Sequence, residues 1–256
     1  MMLVVEGVEL EVQDWGEGEE TILLLHEGLG SVSHWRDFPE RLAAATGARV
    51  IAWSRQGHGR SQKLNAGRDP DYMHIEAERI GPLLNALNVR RAHLFGQSDG
   101  ASIALLAAAM LPDRVETMIL EAPHVLVEQI TYDSIAEARQ IYLTTDLPRK
   151  LARHHADVDH IFWMWNDIWL DPRFRNWNIE AVLPAIRAPA LMIQGLDDEY
   201  GTLDQLRRIA AILPETETLL LERCKHAPHR DQPEAVLNAT AKFLKQHARQ
   251  GALDKV

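Results

Sequence analysis

Two glycines flank a serine at the chain's densest chemical signal, Leu94-Phe95-Gly96-Gln97-Ser98-Asp99-Gly100-Ala101. An apolar run precedes this G-x-S-x-G and an Ala-rich run follows it. Glycines at these offsets permit a sharp strand-to-helix turn that lifts the serine oxygen clear of the backbone, near a helix N-terminus that favours negative charge. Ser98 is therefore a candidate nucleophile; alone, the pentapeptide also fits a serine that only caps a helix. A serine hydroxyl attacks poorly until a base takes its proton, so a histidine and an orienting acid must come from elsewhere. Acids crowd Gly195-Leu196-Asp197-Asp198-Glu199-Tyr200-Gly201, with Asp204 just beyond, and His226 and His229 follow the next apolar run. Acyl transfer also needs N–H donors for a tetrahedral oxyanion, and Leu25-His26-Glu27-Gly28-Leu29-Gly30-Ser31 is a glycine-bearing loop where backbone can approach a substrate closely.

The segments that must hold these residues alternate between strand-like and helix-like patterns, which builds a mostly parallel sheet with helices on both faces. Residues 4–11, with Val8, Leu10 and Val12 alternating, predict an antiparallel edge hairpin, and residues 16–20 a turn. The unbroken apolar run 21–25 suits a central strand. Further strands are predicted at 50–53, 92–96 and 117–121, with helices near 35–45 and 72–87. From about 125 to 186 the alternation stops and several short helices, punctuated by Asp and Pro, form a candidate lid. The pattern resumes with a strand at 190–193, a helix over 204–213, a strand at 218–221 and a closing helix at 233–247. The fold class is thus α/β, with a core of 1–124 and 187–256 and a helical lid over 125–186.

A chain of 256 residues, 46% hydrophobic and 25% charged, is long enough for one such domain with an insertion. Its net charge of -10 repels phosphate backbones and anionic lipid surfaces, which argues against nucleic acid and membranes as partners. The N-terminus lacks a basic leader pattern, and the longest apolar stretch, 101–111, is far shorter than the ~20 residues a bilayer span needs. A single cysteine, Cys224, allows no internal disulfide and fits a reducing compartment, so a cytoplasmic monomer or homodimer acting on a small molecule is expected. Trp163, Trp165, Trp169 and Trp177 cluster with Met164 in the lid. The first three are the expected pocket lining, against the alternative that they merely pack the lid on the core. His154, His155, Asp157, Asp159 and His160 are ligand types, but their spacing matches no metal template and suits the polar start of a helix. Neither metal nor cofactor is expected.

Together with the serine motif, Ser54-Arg55-Gln56-Gly57-His58-Gly59-Arg60-Ser61 carries a resemblance. It is similar to D-x-x-G-x-G-x-S after the second core strand of α/β-hydrolases, with Ser54 where Asp is common. The chain resembles that fold family across nearly its full length, in particular its small bacterial carboxylesterase-like members. The resemblance implies partners in the order Ser, acid, His at the ends of later strands. It puts the acid at Asp198, three residues after Gly195, leaving Asp197 to support the turn. It puts the base at His226, where the family often has Gly-His and Lys225 replaces the glycine, and leaves His229 as a surface or helix-start residue. The implied oxyanion donors are the Asp99 N–H and an N–H at Gly28 or Leu29. Glu27 is extra relative to the usual His-Gly-x-Gly loop and brings a carboxylate near the substrate pocket.

Serine at position 98 speaks against epoxide hydrolases and haloalkane dehalogenases, which use aspartate there. Asp99 replaces the Met common in C–C bond hydrolases and haloperoxidase-like members, which speaks against those. The expected function is hydrolysis of a small carboxylic ester through an acyl-enzyme. C–C bond, enol-lactone or thioester hydrolysis would run on the same triad, and a non-hydrolytic lyase or ligand sensor is the alternative of another class.

Overall fold

The computed structural model describes residues 1–213 and 215–248. Its sheet comprises β1 (Met2–Val5), β2 (Val8–Trp15), β3 (Thr21–Leu25), β4 (Arg49–Trp53), β5 (Ala92–Gln97), β6 (Val115–Glu121), β7 (Ala190–Gly195) and β8 (Thr216–Leu221). The strands lie in the order β1-β2-β4-β3-β5-β6-β7-β8. The pairs β1–β2 and β2–β4 are antiparallel and every later pair is parallel. β3, β5 and β7 are buried along their whole length, as apolar runs must be when helices cover both faces. Alternate residues go to opposite sides. Leu23, Leu25, Ile51 and Leu94 enter one core, while Ile22, Leu24, Val50 and Phe95 enter the other.

The helices are α1 (Phe38–Thr46), α2 (Tyr72–Glu78), α3 (Ile80–Ala86), α4 (Asp99–Met110), α5 (Gln129–Thr144), α6 (Leu147–Leu151), α7 (Val158–Leu170), α8 (Asp204–Ile212), α9 (Pro228–Asp231) and α10 (Pro233–Ala248). α1 and α10 close one core through Phe38, Leu42, Val236 and Phe243; α2, α3, α4 and α8 close the other. α4 is buried from Asp99 to Ala108, which its small apolar residues allow on every side.

The helix expected over 72–87 is broken at Arg79. Pro82 cannot donate to the Glu78 carbonyl and its ring would strike it, so the chain restarts with Pro82 in the first turn of α3. The helix expected from Trp35 starts later: Val32–Trp35 is a 3-10 turn, Arg36 takes φ 54°, and α1 begins at Phe38 with Pro39 in its first turn. Between β6 and β7 the expected short helices include one of sixteen residues, α5, besides α6, α7 and a 3-10 turn at Glu180–Ala185. A bridge between Leu126 and Asn178 clips the two ends of this segment together. Among the described residues, no helix is long and apolar enough to cross a membrane.

Candidate active site

Ser98 stands at the turn from β5 into α4 with φ 53° and ψ -118°, a conformation that costs a non-glycine residue about 1–3 kcal/mol. The turn is held from several sides. Ser98 N–H donates to the Glu121 carbonyl at 2.9 Å, and the N–H groups of Ala101 and Ser102 return to the Ser98 carbonyl. A side chain at Gly96 would overlap the Gly100 carbonyl, and one at Gly100 would overlap the Leu25 carbonyl at the end of β3. The glycines of the motif are thus demanded by the packing of α4 on the sheet. Gly100→Ala is expected to cost about 4 kcal/mol or more, a fall in Tm on the order of 10 °C. Calorimetry checks this; a Tm within about 2 °C of wild type would show that the contact yields cheaply.

β7 and β8 deliver the acid and the histidine. His226 Nδ1 lies 2.8 Å from Asp198 Oδ1 and 2.9 Å from Oδ2. Asp198 also accepts the Tyr200 N–H at 2.8 Å and Gln194 Nε2 at 2.6 Å, which fix its plane. Asp197, one residue earlier, is exposed and its N–H donates to the Cys224 carbonyl. A side chain at Gly195 would strike the Cys224 and Lys225 carbonyls, so the two loops press together where the pair forms. Gln97 Nε2 donates to the His226 carbonyl at 3.0 Å and ties the histidine loop to the serine turn. Burial opposes a charge on His226, but the charge and hydrogen bond of Asp198, aided by Glu199 and Glu27, outweigh it and raise the imidazole above its ordinary value. Burial likewise pushes Asp198 up, yet the His226 charge, its hydrogen bond and the Tyr200 N–H hold the carboxyl below the usual range.

Ser98 and His226 open onto one cavity of about 370 Å³, without a direct hydrogen bond between them among the described residues. Such bonds often tighten only when substrate arrives. His229 lines the same cavity, with Nδ1 2.6 Å from Glu121 Oε2, so a second histidine–acid pair sits beside the first. Its ring packs 4.7 Å from that of Trp35. His229 stands in the first turn of α9, the helix-start position expected as one of two readings, but it is buried rather than at the surface. Glu121, wholly buried at the end of β6, supplies the partner that draws it inward.

The backbone N–H of Asp99 is first in α4 and has no intrahelical partner. Its side chain accepts Tyr72 OH at 2.9 Å beside the buried guanidinium groups of Arg55 and Arg68. Arg55 in turn donates to the carbonyls of His26 at 2.6 Å and Glu27 at 2.9 Å. His58 Nε2 reaches the Gly28 carbonyl at 3.1 Å and His155 Nε2 the Leu29 carbonyl at 2.7 Å. Four successive carbonyls of this loop are therefore held by side chains. The Leu29 N–H donates to the Glu27 carboxyl, so it is occupied rather than free, whereas the Gly28 N–H has no protein partner among the described residues. Glu27 itself lines the cavity.

Trp165 and Trp169, one turn apart on α7, line the cavity; Trp163 does not. Two positions from Trp165 on a helix is the opposite face. Trp163 instead borders an outer hollow with Arg68, Asp159 and Met164, under the Arg139 guanidinium. Trp165 lies so close to Gly28 that a side chain there would overlap its indole ring. Asp157 caps α7 by accepting the His160 N–H, and His155 clamps the Leu29 loop from above. Among the described residues, no group of three or more His, Cys, Asp or Glu is placed to hold a metal. Sequence reasoning missed the further lining residues His34, His124, Thr131, Ile135 and Tyr200. Only Tyr200, two residues after Asp198, carried a positional signal.

The sequence profile described as the alpha/beta hydrolase family matches residues 22–239. The chain belongs to this family. The 2-hydroxy-6-oxononadienedioate/2-hydroxy-6-oxononatrienedioate hydrolase of Paraburkholderia xenovorans is 26% identical, over 93% of this chain and 91% of that protein. The mouse serine hydrolase BPHL is 28% identical over 77% of this chain and 69% of that protein. The enol-lactonase of Burkholderia xenovorans superposes with a TM-score of 0.75 at 22% identity, over 96% of this chain and 100% of that one. The family and its relatives make the protein a hydrolase.

Proposed function

We propose that this hydrolase cleaves a small carboxylic ester, acyl or aryl, through an acyl-enzyme on Ser98, His226 and Asp198. The observation that carries the proposal is the His226–Asp198 hydrogen bond, whose histidine lines the cavity onto which the strained Ser98 turn opens. Ser98 Oγ attacks the acyl carbon while His226 Nε2 takes its proton, and Asp198 holds the imidazole by Nδ1 and supports the charge it gains. The electron pair on the carbonyl oxygen then returns, the acyl–oxygen bond breaks, and His226 delivers its proton to the leaving alcohol. Water, activated by the same histidine, frees the acid and restores Ser98. No cofactor enters these steps. The segment 125–186 acts as a lid, presenting Trp165 and Trp169 to the acyl group. A cavity of about 370 Å³ is at the small end for ligand pockets, which favours short acyl chains.

A second reading is C–C bond or enol-lactone hydrolysis on the same residues. The similarity to a dienedioate hydrolase favours it, against the weight given to Asp99 in place of Met. Ester cleavage is preferred because its leaving group needs only the proton that His226 already carries, whereas C–C cleavage must also expel carbon as a stabilised enolate. The test compares p-nitrophenyl esters of graded acyl length with a vinylogous diketone. The expected result is a higher kcat/KM for short esters; faster diketone cleavage would install the second reading.

A further inference from the structure

The Leu25–Ser31 stretch meets the cavity in an unusual way: the residue that faces the site after His26 is an acid. Glu27 lines the cavity with Ser98, Asp99 and His226. Its Oε2 accepts the Leu29 N–H, one of the two donors this loop could offer an oxyanion. Its Oε1 has no protein partner among the described residues and is not fully buried. An ionised carboxylate there would remove one donor and set a negative charge beside the oxygen that must become negative. A neutral carboxyl reverses both effects, since one oxygen keeps the Leu29 N–H and the other carries a proton toward the substrate.

We propose that Glu27 enters the oxyanion hole as a neutral acid, its carboxyl O–H donating with the Asp99 N–H to the developing oxyanion. This rests on the serine-hydrolase reading. The Glu27 proton stays on Glu27 throughout, as a hydrogen-bond donor, while the proton in flight is the one His226 takes from Ser98. A carboxylic acid kept neutral by an apolar site is an established way to stabilise an oxyanion. The surroundings favour the proton: burial first and the Asp99 charge raise the carboxyl, against the Leu29 N–H, Arg55 and His226. The charged and titratable groups about the loop are His26 within it, Arg55 and His58 after β4, Asp99 on α4, His155 from the lid segment, Glu199 and Tyr200 after β7 and His226 after β8. Arg55 is engaged with the His26 and Glu27 carbonyls and with Asp99 rather than with the Glu27 carboxyl. The Trp165 indole from α7 covers the loop at Gly28.

The test is the pH dependence of p-nitrophenyl ester hydrolysis by wild type, Glu27→Gln and Glu27→Ala, each checked for folding by circular dichroism and for Ser98 labelling by a fluorophosphonate. Wild type should lose kcat/KM on the alkaline side as Glu27 ionises. Glu27→Gln should stay within about 10-fold of wild type at its optimum, because its amide N–H can donate, and should lack that alkaline limb. Glu27→Ala should lose about 10²–10³-fold in kcat with little change in KM, the loss typical of a single oxyanion donor. A structural role would not make the limb vanish in the Gln variant. An absent limb in wild type, a Gln variant as impaired as the Ala variant, or an Ala variant with wild-type kcat would overturn the proposal. If Glu27→Ala does not fold, the Gln profile decides alone. Failure of the fluorophosphonate to label wild-type Ser98 would overturn the serine-hydrolase reading and this proposal with it; labelling alongside any of the adverse outcomes overturns this proposal only.

Discussion

Ser98→Ala is expected to fold normally and to hydrolyse p-nitrophenyl esters about 10⁴-fold or more slowly than wild type. The substitution removes one oxygen from a buried turn whose hydrogen bonds are all made by backbone atoms of Ser98, so the turn should persist. What disappears is the covalent route, leaving water to attack an ester held only by the cavity and its N–H donors. The burst of nitrophenol that reports acyl-enzyme build-up should vanish along with steady-state turnover. A variant that kept a tenth of the wild-type rate would mean that another group attacks.

The second large effect separates two adjacent acids. Asp198→Asn should lower kcat by about 10⁴-fold, because an amide neither holds the His226 tautomer nor supports the imidazolium. Asp197→Asn should cost less than about 3-fold, since its side chain is exposed and outside the cavity lining. The pH profile adds a sign. Asp198 raises the pKa of His226, so in wild type the base becomes charged, and activity falls, at a pH above the ordinary imidazole value. Removing that negative charge lowers the pKa, and the acid limb of the residual activity should move to lower pH. Equal losses in the two variants would remove Asp198 from its role.

Much of the scaffold was legible because period and punctuation are local signals. The apolar runs at 21–25 and 190–193 mark strands that are buried on both faces, and the glycines around Ser98 announced the turn into α4. Non-local events were not legible. The split at Arg79 needed the clash of Pro82 with Glu78 to be weighed above a continuous helical pattern. The inward turn of His229 depends on Glu121, 108 residues away in sequence, and nothing near either residue signals the other. Position 54 is instructive: serine stands where the resemblance leads one to expect Asp. Ser54 Oγ donates at 2.8 Å to Glu11, a carboxylate contributed from β2, which also accepts the Arg60 N–H at 3.0 Å. The acid has moved to a neighbouring strand, a relocation that only the β2–β4 pairing makes visible.

The tryptophans show the same limit at the site. Their density announced an aromatic lid, but only the phase of α7 decides that Trp165 and Trp169 face the cavity while Trp163 turns to the outer hollow. The occupation of the Leu29 N–H by Glu27 is a contact two residues long, yet sequence alone leaves the rotamer open.

The most direct measurement is mass spectrometry of the protein after brief reaction with a p-nitrophenyl organophosphonate, followed by peptide mapping, in wild type and in His226→Ala. The expected result is a single adduct on Ser98 that forms rapidly in wild type and is slowed by orders of magnitude in the variant. An adduct on any other residue, or labelling of Ser98 at the same rate without His226, would contradict the triad at the centre of this function.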